Sequence, residues 1–275
     1  MKPERWVPAL SITLALLAWE ALVHWARIPH YTLPAPSRVL ATVWTDFGSL
    51  WPAWWFTLRL TLGALVLATL GGVLLAAAFA LSRVLELALL PFAVVLQVTP
   101  LVAIAPLILI YVDSTTAALL LCTWLVAFFP MLANTLAGLR AADRQLHELF
   151  TLYGATPWQR LKWLLLPSAV PYLLSGLRIC GGLSLIAGVT AEMVAGAAGR
   201  ETGLASRILE ASFRTDTPRM FAALLLLVLT GLALYALLEW APRRLARRRP
   251  APGSAAGSRP AWFSTSKPVK DTSCN

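Results

Sequence analysis

Charge is scarce in this chain. Asp, Glu, Lys and Arg make up 13% of its 275 residues against 58% hydrophobic ones. With a mean hydropathy of +0.70, there are too few polar groups to clothe a soluble surface. Cysteine is scarce as well: Cys122, Cys180 and Cys274 are scattered, two of them inside apolar runs, which excludes a disulfide framework and a cysteine-built metal site. The histidines His24, His30 and His147 have no ligand spacing. No nucleophile stands beside a base and no carboxylates pair at catalytic spacing, so an enzyme reading has nothing to carry chemistry. A G-x-x-x-x-G-K-[ST] loop is also missing, so the chain does not cradle ATP phosphates in that way. There is no internal repeat.

What the chain has is apolar runs. Six stand out, at residues 6–26, 54–81, 87–112, 117–139, 169–195 and 220–240, each near or above the ~20 residues that cross a bilayer as a helix. The expected fold class is an all-α membrane protein of about six transmembrane helices. Residues 1–5 form a cytoplasmic N-terminus, 6–249 one membrane domain, and 250–275, rich in Pro, Gly, Ser and Ala, a disordered tail. Run 6–26 is long for a signal peptide and lacks a small-x-small cleavage site, which favours an uncleaved span. The net charge of +10 sits largely beside the ends of apolar runs. Positive-inside bias accounts for it without nucleic acid, and RRLARRR at 243–249 reads as a cytoplasmic anchor touching lipid headgroups.

Within the runs, several residues ask for partners. Glu20 and His24, one turn apart, either pair toward the bundle or lie at the outer water interface. Segment 37–47 reads as a short surface helix capped by Ser37, and Trp51, Trp54 and Trp55 anchor the next span at its outer end. Ala64, Ala68, Gly72, Ala76 and Ala80 line one helical face, the pattern that lets backbones approach closely in lipid. Pro91, Pro100 and Pro106 interrupt the third run, and a freed carbonyl there needs a neighbour or a cavity. Gln97, Thr99 and Pro100 are therefore candidates for lining a path, with a kinked packing helix as the alternative. Asn134 and Pro130 interrupt the fourth run. In the fifth, Ser184 and Glu192 share a row with Gly176, Cys180, Gly188 and Gly196. Glu192 reads either as a protein- or path-facing carboxylate or as a solvated residue at the outer rim. Residues 197–219 read as a polar outer loop.

The stretch that organises the rest is the basic island ELFTLYGATPWQRLKWLLLP at 148–167. Helix formers fill 145–153, Gly154 can take the positive φ that ends a helix, and Pro157 sits where a second helix can start. Helix, turn, helix along a membrane surface is the expectation, with 140–167 on the cytoplasmic side.

Here a resemblance enters. Glu148, Gly154 six residues on, and Leu164, Leu166 and Pro167 after nine more resemble the coupling motif of permease subunits in type I ATP-binding cassette (ABC) importers. Where that family has two alanines after the Glu, this chain has Leu149 and Phe150. The resemblance extends over LPAPSRVL (33–40), QVTPLVAIAPLILI (97–110), FFPMLANTLAGLR (128–140), PSAVPYLLSGLRI (167–179), AEM (191–193) and 203–223. It looks like the nitrate, sulfonate and taurine branch and relatives that import thiamine-pyrimidine precursors. The resemblance implies a bacterial inner-membrane subunit with both termini cytoplasmic and no cofactor of its own. It further implies a cytoplasmic ATPase dimer that hydrolyses the ATP, a second permease chain forming a homodimer, and an extracytoplasmic solute-binding protein. Glu148, Leu149, Phe150, Gly154, Ala155, Leu164, Leu166 and Pro167 would couple to the ATPase, with Glu148 capping or orienting the helix, Gly154 permitting the turn and Pro167 fixing the re-entry into the fifth span. The path would carry a small anion or a vitamin precursor.

Overall fold

The computed structural model describes residues 6–200 and 202–246. It divides into compact units Met1–Glu239 and Trp240–Asn275. Of the second, only the end of the last helix is described. The expected cytoplasmic N-terminus, the side chains of the basic run 243–249 and the tail 250–275 lie outside the described residues.

Every described element is a helix. They are α1 Trp6–Trp25, α2 Pro36–Thr45, α3 Phe47–Leu81, α4 Arg83–Val98, α5 Leu101–Tyr111, α6 Thr115–Arg140, α7 Arg144–Leu152, α8 Pro157–Arg160, α9 Leu166–Ala197, α10 Leu204–Phe213 and α11 Thr217–Ala246. A π-turn, Leu161–Leu165, joins α8 to α9, so Pro157–Ala197 is one helical rod of 41 residues.

Four rods are long and apolar enough to cross a membrane alone: α3, α6, Pro157–Ala197 and Thr217–Trp240. The third expected span is instead a pair, α4 and α5, bent by 103°. Thr99 and Pro100 explain the break. Proline has no N–H to continue the ladder, and its ring pushes the preceding residue out of helical conformation; Thr99 sits at φ −75°, ψ 123°. The pair nevertheless crosses. Gly63 faces Leu120, Gly71 faces Phe128 and Gly72 packs on Met131 and Leu132, so α3 and α6 run parallel and the chain between them must return. Leu85, Leu90 and Ala93 accordingly pack on the cluster that holds Phe79 and Leu139, and Ala105 and Leu109 join the one that holds Leu60 and Ala118. Among the described residues this gives five crossings by length and apolarity, and α1, Trp6–Trp25, is a further helix of 20 residues, the length a sixth crossing needs.

The centre is α3, α6 and α9. Ala64, Ala68, Gly72 and Ala76 are buried as the small-residue pattern requires, whereas Ala80 is exposed. Antiparallel to α6, α9 lies so close that a Cβ on Gly138 would stand 2.7 Å from Tyr172 Cβ and 2.9 Å from Ala169 Cα. Such contacts bind helices in lipid, where no water is expelled by association.

Two expectations fail at the end opposite α7. Ser37 is not a cap: α2 starts at Pro36 after Ala35, and Ser37 donates its N–H (3.0 Å) and hydroxyl (2.7 Å) to the Glu20 carboxylate. Glu20 also holds His24 at 3.0 Å. Residues 197–219 are not a plain loop either, since α10 forms inside them. Leu204, Ala205, Ile208 and Ala211 form one face of α10, and all but Ile208 are fully buried, a helical spacing masked in the sequence by interspersed charges.

Candidate functional site

The island folds much as its residues dictate. Asp143 caps α7 by accepting from Gln145 N–H at 2.7 Å. At the other end Gly154 takes φ 67°, with Gly154 N–H donating to Thr151 O (3.0 Å) and Ala155 N–H to Phe150 O (2.9 Å). That pair of bonds is the Schellman closure, which needs a left-handed residue and so favours glycine. Thr156 and Gln159 then form a reciprocal capping box that starts α8 at Pro157.

The named residues divide by direction. Leu149 is 44% exposed, as are the neighbouring Leu152 at 85%, Tyr153 at 83% and Trp158 at 63%; no residue of α7 is buried. Leu164 is buried and Leu166 packs partly against the core formed by Leu136, Leu139 and Leu161, so these two anchor the segment. Glu148 does not cap α7; it accepts from Arg144 Nε at 3.1 Å on the solvent face. Pro167 does not open the return into the membrane either. That return begins at Pro157, and Pro167 lies within the continuous rod. The π-turn just before it opens the helix where the proline ring would meet the carbonyl four residues back.

At the same end, sequence reading missed Glu86. It is 5% exposed, pairs with Arg83 Nη1 at 2.8 Å, and accepts from Arg140 Nη2. Its spacing of three from Arg83 on a helix was the available signal.

The path candidates separate. Gln97, Thr99 and Pro100 come together as an exposed elbow between α4 and α5, with Thr99 Oγ1 donating to Val95 O at 2.8 Å. Asn134 bonds back to Pro130 O at 2.8 Å and abuts Gly176. Ser184 is fully buried and donates to Gly181 O at 3.0 Å. Glu192 is also fully buried, so it is no solvated rim residue. Its Oε1 accepts from Thr57 at 2.8 Å and its Oε2 from Ala205 N–H at 3.1 Å, while Leu204 N–H donates to Thr57 Oγ1 at 3.0 Å. Glu192 and Thr57 thus satisfy the first turn of α10, whose free N–H groups attract a carboxylate.

The chain is similar to known proteins. Residues 68–249 match the family described as binding-protein-dependent transport system inner membrane component. The chain belongs to this family. Its members' role is that of permease subunits in ABC importers, and the chain is a multi-pass inner-membrane component of that kind. Riboflavin transport system permease protein RibX of Chloroflexus aurantiacus is 35% identical over 240 residues, 86% of this chain and 88% of RibX. Formylaminopyrimidine transport permease protein ThiX of Halalkalibacterium halodurans is 30% identical over 236 residues, 84% of this chain and 91% of ThiX. Among solved structures, a chain of the MetNI methionine ABC transporter in inward-facing conformations superposes with a TM-score of 0.60 at 20% identity. It covers 72% of this chain and 95% of that one, a likeness of fold.

Proposed function

We propose that this permease pairs with a second copy of itself to form the translocation path, and that ATP-driven movement reaches it through residues 140–167. The observation that carries this reading is that α7 buries nothing within its own chain yet turns Leu149 and Leu152 outward beside Tyr153. An amphipathic surface helix of this kind calls for a groove in a partner, and a cytoplasmic ATPase dimer supplies one. Arg83, Arg140, Arg144, Arg160 and Lys162 gather at this end, which supports its cytoplasmic side by charge bias. With α1 as a sixth crossing, both termini then face the cytoplasm, and the solute-binding protein docks at the α10 end. Glu148, Leu149, Phe150, Gly154 and Ala155 form or shape the contact. Leu164, Leu166 and Pro167 carry it into α9. Gln97, Thr99 and Pro100 line the path, and Asn134, Ser184 and Glu192 hold the helices behind it.

The solute we propose is a nitrogen heteroaromatic vitamin precursor, of flavin or aminopyrimidine type, in preference to nitrate, a sulfonate or taurine. Support comes from the names of the two relatives above, both at 30% identity or more. The test is ATP hydrolysis by the reconstituted complex with its own binding protein. Stimulation by riboflavin or a pyrimidine precursor and not by nitrate, taurine or an alkanesulfonate is expected. The reverse pattern refutes the solute class, and failure to capture an ATPase refutes the importer reading.

A further inference from the structure

We infer that the Glu86–Arg140 ion pair is the joint through which movement of the 140–167 segment reaches the bent α4–α5 arm, making Glu86 a positioning residue for transport. The inference rests on the proposed coupling role of that segment.

The argument starts from how loosely α7 is held. No α7 residue is buried, and a cavity of about 440 Å³ separates it from the bundle, lined by Phe79, Glu86, Leu136, Arg140, Arg144 and His147. Force applied to α7 therefore does not pass sideways through packed side chains. It enters at the segment's two covalent ends: Arg140, the last residue of α6, and Pro157, the start of the rod that becomes α9.

From the first of these ends a polar bridge reaches another crossing, the one such bridge among the described residues. Arg140 Nη2 donates to Glu86 Oε1, and Glu86 stands in the first turn of α4. The Glu86 residue is 5% exposed while the Arg140 side chain is 55% exposed, so an enclosed carboxylate meets a guanidinium at the cavity's edge. A charge-assisted bond to an enclosed carboxylate holds better than one between two exposed side-chain ends. α4 is a single rod from Arg83 to Val98, roughly 1.5 Å long per residue. A displacement imposed at Glu86 is thus carried to the elbow where Gln97, Thr99 and Pro100 face outward. Arg83 makes the useful contrast: it binds the same carboxylate at 2.8 Å, but from within α4, and so links nothing across helices.

The experiment uses the full permease with its ATPase and binding protein in proteoliposomes, comparing wild type, E86Q, R140Q, E86Q/R140Q and R83Q. Solute-stimulated and basal ATP hydrolysis are read alongside a spin–spin distance between labels at Y111C in the two copies, with Cys274 replaced by Ser. Wild type should stimulate and shift its label distance on binding a non-hydrolysable ATP analogue. E86Q and R140Q should each lose stimulation by about fivefold or more, the range of a typical coupling free energy. Both should also lose the distance shift while still capturing the ATPase and hydrolysing ATP basally. The double variant should be no worse than either single one, as for residues acting through each other, and R83Q should stay near wild type. Full stimulation and an intact shift in E86Q overturn the joint. So do additive losses in the double variant, or a loss that comes with failure to assemble. A wild-type complex that shows no stimulation removes the coupling reading itself and the joint with it.

Discussion

The Thr57 hydroxyl meets the Glu192 carboxylate at 2.8 and 3.1 Å across 135 residues of chain, and together they close the first turn of α10. Three helices, α3, α9 and α10, are tied by this one contact. Glu192→Ala removes an acceptor for Thr57 and Ala205 N–H and leaves a void, at a cost of about 2–4 kcal/mol. The melting temperature in detergent should fall, and hydrogen exchange should accelerate selectively at 204–213. Unchanged exchange there would refute the capping role.

Close packing of α6 on α9 predicts a contrast between two glycines. At Gly138 an added Cβ would meet Ala169 Cα at 2.9 Å, whereas at Gly63 the nearest atom is Leu120 Cδ1 at 3.5 Å. Gly138→Ala should destabilise by about 1–3 kcal/mol through overpacking, with Gly63→Ala near neutral. Equal melting temperatures for the two variants would contradict the α6–α9 spacing.

At Gly154 the chain sits at φ 67° and its N–H donates to Thr151 O. Proline can satisfy neither condition. Gly154→Pro should abolish solute-stimulated ATP hydrolysis while the protein still inserts into membranes, and Leu152→Glu should weaken ATPase capture about tenfold, as expected when a charge replaces an apolar anchor. Copurification and ATP hydrolysis with and without solute test both, and wild-type values would count against the α7 contact.

Acid should loosen α10. The hydrogen bond from Arg207, with the charges of Arg207, Arg214 and Arg219 behind it, holds the Glu210 carboxyl below its ordinary 4.5. A folded-state value lowered in this way stabilises the protein above the unfolded value and loses that contribution as pH falls through the folded one. The melting-temperature gap between wild type and Glu210→Gln should therefore be widest near neutrality and shrink below pH 4.5. A gap that stays constant into acid would exclude the ion-pair contribution.

Much of the candidate site was legible because its rules are local. Gly154 and Pro157 act within a few residues, so helix, turn and helix could be read directly. The small-residue face of α3 was legible as well, since periodicity reports which side must pack. The cap of α2, the role of Pro167 and helix α10 were not. Ser37 looks like a cap until Glu20, 17 residues earlier, takes both its donors. Pro167 looks like a boundary until a π-turn absorbs it.

Taken alone, the sequence determined the membrane class, the apolar runs, the basic island and its left-handed turn. All of these follow from composition or from bonds between near neighbours. Only the tertiary structure decided that the third run bends by 103° yet still crosses, that Glu192 is enclosed by Thr57 and α10, and that Glu86 reaches Arg140 over 54 residues. Inside a bilayer a charge must find a partner wherever the fold brings one, and the identity of that partner depends on helix packing rather than on spacing along the chain.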